Sequence, residues 1–238
     1  MHQNLRQQTP QLRQIANFAN EGRTTEALHE LKDKLVNRPD HLRETVKQWL
    51  ALSPEEREKT SIFTAGKDAR DTINKAIQQQ LYREGKLSGG GLNHKILERV
   101  DTTHEQMRFV SAYKPGLVLD LNRNMPEMGL MKGLYTVVSR TQKSVKVSDS
   151  KGKVFSFKPE KISPNSPNKG LSLSEKVKIQ LFEGDKIRWT QNDKAKDIAN
   201  ASLAQITAID PQGISFRLSN QREITIPHND PVLQRMNL

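Results

Sequence analysis

From Phe109 onward the apolar residues of this chain come in short alternating runs, and that period-two pattern restricts the second half to β-strands. The runs fall at residues 117–121, 135–138, 144–148 and 154–157, and again at 185–190, 203–209, 214–218 and 223–226. A stretch rich in Pro, Ser and Asn, from Ser163 to Asn168, separates the two sets. Strands this short, spaced about 8–12 residues apart with turn residues between them, predict two small barrels rather than one large sheet.

The first half follows a helical period instead. Thr9-Pro10 has the form of an N-cap with proline in the first turn; Leu12, Ile15, Ala16 and Ala19 then share a face, and Gly22 is placed to stop the helix. A second helix is expected from Thr24, with Leu28, Leu31 and Leu35, and a third from Asp40, with Leu42, Val46, Trp49 and Leu50. Ser53-Pro54-Glu55-Glu56 should cap a short turn. A brief strand at 61–64 is expected next, followed by an amphipathic helix from Asp68 to about Glu84. Helices around one buried strand suggest part of an α/β layer. The fold class expected is therefore α+β, with Gly85 and Gly89-Gly90-Gly91 breaking the helical pattern ahead of the strands.

The two strand sets resemble each other at an offset of about 68 residues. Each opens on a glycine (Gly116, Gly184), passes through a polar loop, and resumes with a β-branched strand, Tyr135-Thr136-Val137-Val138 or Gln205-Ile206-Thr207-Ala208. Matching the hairpins at 149–153 and 210–213 completes a reading of internal duplication.

Charge is spread unevenly over this frame. The 238 residues carry a formal net charge of +11, of which +6 lies in residues 109–163. A basic surplus says nothing about fold but points to a polyanionic partner. In the first strand set Lys143, Lys146, Lys151, Lys153, Lys158 and Lys161 alternate with Val145, Val147, Phe155 and Phe157. Lysines without interleaved exposed aromatics suit contact with a phosphate backbone rather than reading of bases, and a solubilising surface would share the pattern.

Several chemistries are excluded or unsupported. With no cysteine there are no disulfides, zinc–thiolate sites or thiol nucleophiles. A phosphate-binding loop needs Gly-x-x-x-x-Gly-Lys-Ser/Thr, and at Gly66-Lys67 the first glycine is replaced by Ser61 and the hydroxyl residue by Asp68. The six histidines show no metal-ligand spacing, and no serine sits in a nucleophile elbow. No apolar run approaches the ~18 residues of a membrane span.

Three ordered stretches resemble the helicase portion of the MobF-type conjugative relaxase–helicases. The first is Arg6-Gln7-Gln8-Thr9-Pro10-Gln11-Leu12-Arg13 with Glu21-Gly22-Arg23-Thr24-Thr25-Glu26-Ala27-Leu28. The second is Leu52-Ser53-Pro54-Glu55-Glu56-Arg57, then Ser61-Ile62-Phe63-Thr64 and Arg70-x-x-x-Asn74, similar to a fourth helicase motif that would use Thr64, Arg70 and Asn74. The third is Gly184-Asp185-Lys186-Ile187-Arg188-Trp189-Thr190-Gln191-Asn192-Asp193. It is similar to the Gly-Asp-Arg-hydrophobic-Arg-Phe-Thr run before that family's 2B subdomain, with lysine and tryptophan as departures, and Asn200-Ala201 stands where the family often has Asn-Gly.

The resemblance implies a helical and partial RecA-like 2A segment at 1–88 and a linker at 89–108. It further implies a basic, SH3-like 2B-like barrel at 109–163, a linker at 164–176, a second SH3-like barrel (2B) at 177–230, and a tail at 231–238 returning to the motor. It implies single-stranded DNA as a partner, with the six lysines and Asn192 as contact candidates. It also implies that Gly184, Asp185, Lys186, Ile187, Arg188, Trp189 and Thr190 form a translocation signal for the type IV secretion coupling machinery. On a strand, Lys186, Arg188 and Thr190 would share the outer face, with Ile187 and Trp189 facing the core. The segment would have no catalytic site, metal or cofactor of its own; ATP and Mg would belong to a parent enzyme that both unwinds and nicks DNA. A monomer without membrane insertion is expected, cytoplasmic in the donor bacterium and exported to the recipient. A free-standing adaptor with tandem barrels for protein or RNA is the alternative the residues leave open.

Overall fold

The computed structural model describes residues 9–163 and 170–238. Residues 6–8 of the first helicase-like stretch and most of the Pro/Ser/Asn linker lie outside the described residues. The chain forms two units, 1–77 and 78–238.

The described part of the first unit is helical: α1 (Pro10–Asn20), α2 (Thr24–Glu30), α3 (His41–Ala51), α4 (Pro54–Lys59) and the start of α5 (Lys67–Arg83), which crosses into the second unit. The start signals work as the sequence predicts. Thr9 accepts a hydrogen bond from the Leu12 amide with Pro10 in the first turn. Ser53 and Glu56 form a reciprocal capping box on α4. The expected strand at 61–64 is not there: these residues run between α4 and α5 outside any sheet, with Phe63 92% exposed. A strand needs a ladder partner, and no strand occurs among the described residues of 9–77, so the α/β layer is not completed in this unit.

The second unit contains two antiparallel sheets. Six strands, β1 (Ser88–Arg99), β2 (Val118–Leu121), β3 (Gly133–Arg140), β4 (Val145–Ser148), β5 (Val154–Phe157) and β6 (Leu171–Glu183), form one sheet in the order β1-β6-β2-β3-β4-β5. The other holds β7 (Lys186–Trp189), β8 (Leu203–Asp210), β9 (Gly213–Leu218), β10 (Glu223–Ile226) and β11 (Met236–Asn237), in the order β10-β9-β8-β7-β11. Each sheet has its own core. Leu119, Tyr135, Val145, Val147 and Phe157 are among the residues filling the first, and Ile187, Trp189, Ile206, Phe216 and Leu233 fill much of the second.

Parts of the two expected linkers, 89–108 and 164–176, are strands. Residues 88–99 form β1 and residues 171–183 form β6, paired antiparallel along most of their length. The glycine run at 89–91 is a bulge in β1, because the ladder shifts between Ser88 and Leu92. β6 outlasts either module. Its first half pairs with β2 and places Leu171 and Leu173 in the first core, whereas Leu181 lies in the second, with Val177 and Ile179 packed against it.

The register establishes the duplication. Val137 faces Val147 and Ile206 faces Phe216; Val145 faces Phe157 and Ile214 faces Ile226, each at an offset of 69. Both copies carry a bulge at the same place, between Val137 and Ser139 and between Ile206 and Ala208. Asn124 accepts the Lys132 amide at 2.9 Å across the long loop, as Asn192 accepts the Asn200 amide at 2.7 Å. The hairpin correspondence needs correction. The turn at 210–213 matches 141–144, and 149–153 matches 218–222, with amide-to-carbonyl closures of 3.0 Å (Asp149 to Lys153) and 2.9 Å (Leu218 to Arg222). Turn lengths, not turn sequences, preserve the register, so matching by the shared aspartate misplaced it.

After the long loop one copy has Gly133 and the other Ala201, whose φ is +67. A Cβ in that left-handed conformation costs about 1–2 kcal/mol. Ala201→Gly is expected to stabilise the chain by about 1 kcal/mol, part of the relief being lost to unfolded-chain entropy. Thermal unfolding should show Tm rising by about 2–4 °C for a chain of this size.

Candidate functional site

The run from Gly184 to Thr190 is built from both ends. Gly184 has φ +96, and a Cβ there would lie 2.7 Å from the Lys86 carbonyl, so glycine is required by shape as well as by torsion. Its amide donates to Ile206 at 2.8 Å, while the Ile206 amide donates back to the Asp185 carbonyl at 2.8 Å, starting the β7–β8 ladder. The Asp185 side chain is buried and faces inward. One oxygen accepts the Phe182 amide at 2.8 Å and the Gln78 side-chain amide at 2.7 Å.

Beyond that anchor β7 alternates as its sequence predicts. Ile187 and Trp189 are fully buried, Trp189 tilted against Phe216 at 5.2 Å, while Lys186 and Arg188 are exposed and Thr190 is half-buried. A stacking role for Trp189 is closed by this burial; its indole Nε1 is itself buried without a hydrogen-bond acceptor. Asn192 is occupied in closing the long loop, and Asp193 pairs with Lys196, which also bridges to Asp230 at 3.1 Å.

The six lysines of the first module are all exposed. Val145, Val147 and Phe157 point into the core, and Phe155 is half-buried, with the Lys153 ammonium 5.2 Å from its ring centre. Lys146 lies on the outer face of β4, while Lys151 and Lys153 project from the 149–153 turn, whose backbone is held by the Asp149 carboxylate. In the first unit Arg70 pairs with Asp71 at 2.8 Å, Asn74 lies one turn further along α5, and the Thr64 hydroxyl donates to the Gly66 carbonyl.

No local pattern signals the joint between the modules. Asp120 on β2 is buried, and its two oxygens accept Gln191 Nε2 at 2.8 Å and Arg235 Nη2 at 3.2 Å from the second module. Their separations of 71 and 115 residues hide the cluster from any local reading. The histidines in this unit serve structure: His94, His104 and His228 each donate to a backbone carbonyl. Among the described residues no group of acidic or histidine side chains could hold a metal, and no helix is long and apolar enough to cross a membrane.

Residues 96–186 match the family described as the DNA relaxase TraI 2B/2B-like domain, a span that runs from within β1 to the first residue of β7 and so covers the first module and β6. That span is similar to a 2B-like region of the TraI/MobF type. The chain is also 21% identical over 196 residues to the multifunctional conjugation protein TraI of Escherichia coli. That alignment takes in 81% of this chain and 10% of the relative, so the chain spans about a tenth of that protein's length.

Burial raises the Asp185 carboxyl to about 6, against the two hydrogen bonds that favour its ionised form. Below about pH 4 folded and unfolded chains are both protonated here; between 4 and 6 the folded chain holds the proton more tightly, so its stability falls as pH rises through that window. The loss is at most about 3 kcal/mol. Urea unfolding at pH 4.5 and pH 7 should show this component in the wild type and not in Asp185→Asn.

Proposed function

We propose that the chain is the accessory region of a conjugative DNA relaxase–helicase, touching single-stranded DNA through its first module and offering Gly184–Thr190 as a translocation signal to the type IV secretion coupling machinery. In this reading the helical unit belongs to the RecA-like 2A part of the motor. The two modules are the SH3-like 2B-like and 2B inserts, and ATP, Mg and the nicking chemistry belong to the rest of the parent. The segment would act before transfer in the donor cytoplasm and travel with the parent to the recipient.

The observation that carries the DNA reading is the comparison of the two copies. Through the shared register, Lys143, Lys146, Lys151 and Lys153 correspond to Gln212, Ser215, Asn220 and Arg222. Lys158, just after β5, corresponds to Pro227. The charge of Lys153 is thus kept by Arg222, but Lys146 is replaced by Ser215, whose hydroxyl pairs with that of Thr225 at 2.8 Å, and the neighbouring Arg217–Glu223 ion pair at 3.0 Å stands where the first copy has Ser148 and Val154. β5 and β10 are both sheet edges, and lysine is a common guard against edge-to-edge pairing. The second edge does without such a lysine row, so edge protection does not account for the first. Unpaired cations on one copy and a charge-balanced surface on its twin fit a polyanion that meets one module.

For the signal, the exposed Arg188 and Lys186 stand on a strand whose inner residues are locked in the core, giving a partner a rigid cationic face. The Lys146→Gln/Lys151→Gln/Lys153→Gln variant should weaken binding of a labelled oligo-dT. It should also flatten the slope of log K against log salt by about 2, at about 0.7 per phosphate contact on a single strand. Anisotropy titrations across a salt series measure both, and a slope equal to wild type rules the lysine assignment out. For the second role, Arg188→Glu in a reporter fusion should abolish type IV transport while leaving the Tm unchanged; undiminished transport would remove the signal assignment.

A further inference from the structure

We infer that the outer face of the β1–β6 ribbon, with Tyr82 at its end, is a second single-strand site: a stacking platform for unpaired bases beside a lysine track for their phosphates. This rests on the reading that the chain meets single-stranded DNA, and it places that contact on residues which neither the lysine run nor the signal motif includes.

Alternation along β6 puts Lys176, Lys178, Gln180 and Phe182 on one face, at steps of ~7 Å. Lys95 of β1 stands directly opposite Lys178, and both are exposed. Like charges in directly opposed positions destabilise a sheet. On this face β1 brings Asn93, Lys95, the buried Leu97 and Arg99, and none of the ribbon's own residues on it is a carboxylate. Lys176 reaches the Thr136 hydroxyl of β3, so the track continues onto the face of the sheet that carries Lys146.

The aromatic end is purpose-shaped. Phe182 lies opposite the bulge of Gly89, Gly90 and Gly91, and a Cβ on Gly91 would fall 2.9 Å from the Phe182 ring and 2.5 Å from the Gln180 amide. Gly91 therefore clears the space in which that ring lies. Tyr82 packs on it with ring centres 4.8 Å apart and its hydroxyl on the Gly89 carbonyl, yet remains 45% exposed. A ring pinned from behind and open in front, at the end of a cationic row, is the arrangement on which unpaired bases stack while the backbone is tracked electrostatically. A duplex, with its bases already stacked, cannot use it.

The test uses the full chain and a fluorescently labelled oligo-dT, with a duplex of equal length for comparison. Lys95→Gln/Lys178→Gln should flatten the salt slope by about 1.4, and its Tm should equal or exceed wild type because a repulsion is removed. Tyr82→Leu should weaken oligo-dT binding at least about fivefold with the slope unchanged, while Tyr82→Phe retains binding, as loss of one stacked base requires. Duplex affinity should not respond to Tyr82→Leu. If wild type binds oligo-dT but the ribbon variants bind equally well, the platform is overturned while the lysines of the first module stand. Equal losses for duplex and single strand also overturn it. Absence of oligo-dT binding by wild type overturns both readings together.

Discussion

Strand β6 is the constraint on which the second unit depends. At 13 residues it is about 40 Å long, more than a small module can use, and its inner face passes from Leu171 and Leu173 in one core to Leu181 in the other. A single rigid element therefore serves two hydrophobic cores. The Asp120 cluster completes the joint from the other side. A buried carboxylate with Gln191 and Arg235 as donors costs desolvation but leaves few alternative arrangements satisfied. Apolar burial along β6 supplies the stabilisation, and Asp120 selects the orientation.

The two copies share a fold and differ in their surfaces. The shared ladder, the paired bulges and the asparagine loop closures are properties of the fold, kept because a one-residue slip would turn each core face outward. What differs is the surface. The first copy gained a cationic edge, while the second carries an exposed pair on β7, Lys186 and Arg188. In the first copy the position matching Arg188 is Asp120, buried in the joint. The same strand position thus faces a neighbouring module in one copy and solvent in the other.

The eight short strands could be read from sequence because each alternates cleanly around β-branched or aromatic residues. β1 and β6 could not. β1 carries three glycines directly after Ser88, which ordinarily signal a loop, and the last of them, Gly91, makes room for Phe182. β6 begins Leu171-Ser172-Leu173-Ser174 but continues through Glu175, Lys176 and Lys178, because half of its length faces solvent as a two-stranded ribbon. The stretch at 61–64 fails in the opposite direction: its residues favour a strand, but propensity without a ladder partner forms none. The Gly184–Thr190 motif was legible at side-chain level, down to Trp189 inside and Arg188 outside. The Asp120 cluster and the ribbon platform were not, since both arise from residues brought together across long separations.

If Gly184–Thr190 is the proposed signal, most of its residues also have structural work within the strand. Its first two residues are structural: Gly184 fits against the Lys86 carbonyl where no side chain can, and Asp185 ties the turn to Phe182 and Gln78. Its alternate residues Ile187 and Trp189 belong to the core. Lys186, Arg188 and Thr190 face outward at a strand's spacing, so backbone ordering would add little to the cost of binding a partner, while the long side chains of Lys186 and Arg188 would still lose rotamer freedom. Substituting lysine for arginine at 186 keeps the charge in place but loses the planar fork that grips a carboxylate with two parallel bonds. Arg188 retains that geometry, and under the proposed signal reading it is the residue expected to set a partner's orientation at this surface.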